Sequence, residues 1–133
     1  MAKAKDKRTL TLVEELMAEA SFVLSKAQAF QAMGMGETAQ TLWLSAASLQ
    51  ERIAPLLDVE GEAVEAAVYR MSAASCYEKA GDPSSAVNLY QAALAGPLRE
   101  GTHQEVEEML VACLARLKTA SSGRKSRRVS PAS

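Results

Sequence analysis

Side chains able to do chemistry are few in this sequence. His103 is its only histidine, and Cys76 and Cys113 are its only cysteines. A catalytic base, nucleophile or metal ligand works with partners at short spacing, and these three have none: the sequence holds no Cys-x-x-Cys, no His-Cys spacing and no suggestion of a Ser-His or Cys-His partnership. His103 stands with Glu105, Glu107 and Glu108 at the opening of a candidate helix. Carboxylates there complement the positive end of the helix dipole, and the histidine reads as solvated. The cysteines lie in helical stretches and read as small core residues of a reducing compartment. No Gly-rich phosphate loop follows a strand, because no stretch alternates apolar and polar residues as a strand would. The expectation is a protein that is not an enzyme and holds neither metal nor cofactor.

Charge is distributed unevenly. Lys3, Lys5, Lys7 and Arg8 make the start basic, and Arg124, Lys125, Arg127 and Arg128 do the same for the end. Between Leu10 and Lys118, fifteen Asp and Glu face seven Lys and Arg, so the body is acidic and steers a basic surface over a Debye length of ~8–10 Å. The cluster from Gly123 to Arg128 is a weak, salt-sensitive patch for nucleic acid or an anionic surface, but no aromatic is interleaved to stack on bases. Nucleic acid is therefore disfavoured. Arg127-Arg128-Val129-Ser130 also matches a basophilic kinase pattern. At the other end, Glu14, Glu15 and Glu19 interrupt the apolar residues that a secretory signal needs, and no apolar run approaches the ~18–20 residues of a membrane span. A cytoplasmic protein without a membrane span is expected.

These side chains must be positioned by helices, since Ala, Leu, Glu, Gln and Met dominate and Val and Ile are sparse. The reading is all-α, one domain over residues 10–118, with a flexible basic arm at 1–9 and a disordered basic tail at 119–133. Thr11 and Glu14 have capping-box spacing and open a first helix that runs to about Met33, its stripe formed by Val13, Leu16, Met17, Ala20, Val23, Leu24, Ala27 and Phe30. Gly34 and Gly36 turn the chain. The second helix, from about Glu37, carries Ala39, Leu42, Trp43, Ala46, Leu49 and Ile53, and Pro55 ends or kinks it. Asp58 caps a third helix to about Ala80, with Val64, Ala67, Val68, Met71, Ala74 and Tyr77 inward. Gly81-Asp82-Pro83 closes one helix, caps the next and starts it with a proline whose missing N–H costs nothing. The fourth helix runs to about Ala95. After a loop at Gly96, Pro97 and Gly101, Thr102 and Glu105 repeat the capping box before a fifth helix at about 103–118.

One pattern occurs twice. Ala27, Phe30, Gly34, Ala39, Trp43 and Ala46 recur as Ala74, Tyr77, Gly81, Ala86, Tyr90 and Ala93, each displaced by 47 positions. A small/aromatic ladder with glycine at the corner, used twice, marks a repeated supersecondary unit. It resembles the tetratricopeptide repeat, a helix-turn-helix unit in which small residues let two helices approach, an aromatic follows and Gly closes the first helix. The resemblance covers about residues 20–53 and 67–98. It departs from the family in some thirteen extra residues, Ala54 to Ala66, in Pro97 falling one place early, and in a last helix out of register that reads as a cap.

The resemblance implies a stack of antiparallel helical hairpins, about five helices in a right-handed superhelical arrangement, with the first helices of each unit lining a concave groove. Carried over by register, that groove is lined by Ser21, Leu24, Gln28, Gln31, Val68, Met71, Ser75 and Glu78. Where one branch of the family grips a peptide carboxylate with Lys, Arg and Asn, this chain has Leu24, Gln28, Met71 and Ser75. The implied function is a protein–protein interaction module, an adaptor or small chaperone that captures a peptide or amphipathic helix. A homodimeric structural protein and a weak anionic-surface binder through the tail are the alternatives, because two repeats fall below the three that usually make a stable stack.

Overall fold

A computed structural model describes residues 7–129, with side chains through 120, as five helices: α1 Lys7–Ala32, α2 Gly36–Val59, α3 Ala63–Lys79, α4 Pro83–Leu94 and α5 Glu100–Val129. No strand occurs among the described residues.

Three corners join the first four helices, and all are built alike. Gly34, Gly61 and Gly81 adopt φ of 77°, 80° and 85°, the left-handed region that a side chain disfavours. At each, the residue after the glycine donates its N–H five residues back, Met35 to Phe30 O, Glu62 to Leu57 O and Asp82 to Tyr77 O, at 2.9, 2.9 and 2.8 Å. The glycine N–H itself bonds three residues back. These are Schellman caps, which satisfy the last carbonyls of one helix while reversing the chain. Asp82 caps α4 as expected, accepting from Ser85 N at 3.1 Å and from Ser85 Oγ at 2.7 Å, with Pro83 at the first helical position. Gly61 is a corner that the sequence reading passed over.

The corners give a first expected outcome. A methyl at Gly34 meets nothing within 4 Å, whereas one at Gly81 lies 3.1 Å from Gln40 Nε2, which donates to Ala80 O at 2.6 Å and so stitches α2 to the end of α3. Gly34→Ala should cost about 1–2 kcal/mol of left-handed strain. Gly81→Ala should cost about 1 kcal/mol more, because the stitch is displaced as well. Urea unfolding of the two variants measures the difference.

Several boundaries move. α1 begins at Lys7, so residues 7–9 are helical and not part of an arm; the rest of that arm, 1–6, lies outside the described residues. Thr11 is no cap: its Oγ1 donates to Lys7 O at 2.9 Å from within the helix. α2 passes through Pro55 to Val59. An interior proline costs about 3 kcal/mol, and the burial of Ile53, Ala54 and Leu57 around it offsets that cost. Asp58 therefore lies in α2, where it pairs with Arg70 at 2.6 Å and caps nothing. α5 starts at Glu100, with His103 N bonded to Arg99 O at 2.7 Å, which places Thr102 inside the first turn. It continues through Val129, past the 118 boundary and into the segment read as a disordered tail. Ala, Ser, Arg and Lys tolerate helix there, and the first proline is Pro131.

On α3 the exposed residues include Val64 and Val68, and the buried ones are Ala66, Ala67, Ala73, Ala74 and Cys76. An apolar stripe on one face was the wrong expectation because α3 is gripped on two sides, by α2 and by α4. Small residues on both sides let both neighbours approach.

Substantial contacts join only consecutive helices, α1 with α2 through to α4 with α5. The described helices thus form an open row rather than a closed bundle. The core follows the row in three clusters. One holds Val13, Leu16, Ala20, Leu49, Ile53 and Leu57. The next holds Ala27, Ala39, Trp43 and Ala46 with Cys76 and Ala80. The last holds Ala74, Ala86, Tyr90 and Ala93 with Val106 and Cys113 of α5.

A candidate binding cleft between α1 and α3

Of the four aromatic residues of the ladder, the two on the second helices, Trp43 and Tyr90, are held alike. Trp43 Nε1 donates to Gln31 Oε1 at 2.6 Å, and the Tyr90 hydroxyl donates to Glu78 Oε2; both pairs span twelve residues and link the second helix of a unit to the first. Lys79 Nζ sits 4.5 Å above the Trp43 ring, and Arg116 of α5 pairs with Glu78. Gln31 and Glu78, both expected in the groove, are therefore engaged in fastening helices.

Between α1 and α3, over α2, lies a cleft of about 270 Å³ lined by Met17, Ala20, Ser21, Leu24, Gln50, Val68, Tyr69 and Ser72. Residues 17, 20, 21 and 24 share one face of α1 by helical spacing, and 68, 69 and 72 do so on α3. The structure brings together Ser21, Leu24 and Val68 of the expected groove. It leaves Gln28 outside the lining, and Met71 packs onto the Tyr90 cluster. Ser75 is half-buried and also outside. Burial raises the Tyr69 hydroxyl above its ordinary pKa, and the neighbouring Glu65 adds to the effect.

Sequence reasoning missed Met17, Ala20, Tyr69 and Ser72 as lining residues, and it missed Gln50. Gln50 is 1% exposed, and no other amide or charged side chain is buried among the described residues. Its Nε2 lies 3.6 Å from Cys76 Sγ, and its Oε1 is buried without a hydrogen-bond partner among the described residues. The signal was present in the spacing, since Gln50 follows Ala46 and precedes Ala54 by four residues and so stands in core register.

Among the described residues, no group of three or more His, Cys, Asp or Glu could hold a metal ion, and no helix is long and apolar enough to cross a membrane. Comparison with models of protein families, with curated proteins and with solved structures finds no match for this chain.

Proposed function

We propose that this protein is a non-enzymatic, tetratricopeptide-like interaction module, an adaptor or small chaperone, that captures a peptide or amphipathic helix in the cleft between α1 and α3. The observation that carries the reading is the cleft itself: an opening walled by Met17, Leu24 and Val68 on the side where α1 and α3 stand apart. The matched corners and the matched Trp43–Gln31 and Tyr90–Glu78 pairs support a repeated unit beneath it. Cys76 and Cys113 are buried free thiols, which suits the cytoplasm.

Ser21 and Val68 are both exposed, so charges placed there enter the cleft without entering the core. Ser21→Glu with Val68→Glu should leave helicity unchanged by circular dichroism and reduce recovery of partner proteins in affinity purification by about tenfold or more. The same partners recovered in the same amounts would overturn the proposal. Exposed Leu12, Val111 and Leu114 at the two ends of the row favour self-association as the second reading.

A further inference from the structure

Gln50 is costly where it stands. A buried amide oxygen without a partner forfeits the hydrogen bond it made to water in the unfolded chain, and native folds hold few such groups, each of which calls for a cause, a bound molecule being one. Gln50 belongs to the lining of the cleft, and the last torsion of a glutamine side chain is broad enough for the amide to turn toward an occupant.

We infer that the cleft receives one aromatic side chain with a neutral hydrogen-bond donor at its tip, an indole or a phenol presented by a partner's helix, and that Gln50 reads the donor. The inference rests on the cleft reading above and adds the chemistry of the anchor. Volume sets the size: about 270 Å³ holds one large side chain and falls short of the ~300–1,000 Å³ of pockets for drug-sized ligands. Charge sets the tip. No Asp, Glu, Lys, Arg or His lines the cleft, so a buried ammonium, guanidinium or carboxylate would have no counter-charge. An aliphatic anchor would leave the Gln50 oxygen orphaned. Trp and Tyr combine an apolar body with a neutral N–H or O–H. The chain already uses this pairing, since the Trp43 indole N–H is held by the Gln31 amide oxygen at 2.6 Å.

The test is titration of the full chain with indole and with 1-methylindole, which lacks the donor, followed by amide chemical shifts. Indole should move the signals of Ser21, Leu24, Tyr69 and Ser72 and the side-chain amide of Gln50, and should bind about tenfold or more tightly than 1-methylindole. Gln50→Leu should remove the difference between the probes and raise the melting temperature, because the orphaned oxygen is gone. Equal affinities in the wild-type chain would overturn the role of Gln50 while leaving partner capture to be judged by the Ser21/Val68 variant. Shifts confined to other surfaces, or none at millimolar probe, would overturn the anchor altogether. The wild-type comparison decides the matter alone if Gln50→Leu does not fold.

Discussion

Tyr90→Ala is expected to lower the unfolding free energy by about 3–5 kcal/mol, the usual cost of truncating a large buried aromatic. Tyr90 is fully buried in a cluster that holds Ala73, Ala74, Ala86 and Ala93 together with Val106 and Cys113 of α5. The four alanines of the cluster cannot expand to fill the space the ring leaves, which keeps the expected loss within that range. Trp43→Ala should behave similarly in its own cluster of Ala27, Ala39 and Ala46, where it also loses the Lys79 contact. Tyr90→Phe keeps the ring and removes the hydroxyl's bond to Glu78, which retains Arg116, and its weak contact with Met109 Sδ at 3.7 Å, so about 1 kcal/mol is expected. Urea unfolding of the three variants separates packing from hydrogen bonding.

Alkaline unfolding is the second large effect. Tyr90 has its pKa pushed up to about 12, first by burial and then by the negative charge that Cys113 and Cys76 carry once ionised. Tyr77 is pushed up to about 12 by burial and by Glu51, which accepts its hydroxyl at 2.7 Å, with Asp82 adding to the effect. In the unfolded chain both ionise near 10. An acid whose folded pKa is raised holds its proton more tightly when folded, so its contribution is complete below pH 10 and is lost as pH climbs through 12. A shift of this size corresponds to roughly 2–3 kcal/mol for buried Tyr90 and to less for partly exposed Tyr77. Burial raises the Cys76 and Cys113 thiols as well, which steepens the fall in the same direction. Stability measured against pH should drop between 10 and 12 in step with tyrosinate absorbance, and Tyr90→Phe should flatten the drop. A profile unchanged by that substitution would contradict the assignment.

The ladder, the Gly34 and Gly81 corners and the Asp82 cap could be read from residue types because each is decided within a few residues of chain. Asp82, for instance, needs only Ser85 and Pro83 to act as a cap. Thr11 and Thr102 show the limit of such local reasoning. Capping-box spacing is necessary for a box but does not forbid an earlier start, and in both places the helix begins upstream. Pro55 fails differently, since a local penalty is outweighed by burial on either side that only the assembled row provides. Gly61 went unread because it lies in the segment between the two ladder copies, where no repeat pointed to it.

The cleft was legible in part for a related reason. Register places Ser21, Leu24 and Val68 on the open side, but it cannot show that Gln31 and Glu78 are already engaged by Trp43 and Tyr90. Nor does it reveal that the floor between the two walls comes from α2. Gln50 interrupts an otherwise apolar buried face, and a polar residue in core register breaks the pattern that local reading follows.

Because the substantial contacts among the described helices join only neighbours in sequence, the width of the opening is set by how α1 and α3 are held on the two flanks of α2. A small tilt of α1 would widen or narrow that opening without touching the helices that surround Tyr90. The opening and the Tyr90 packing thus rest on different helix contacts, α1 on α2 for the one and α4 on α3 and α5 for the other, with α3 the element they share.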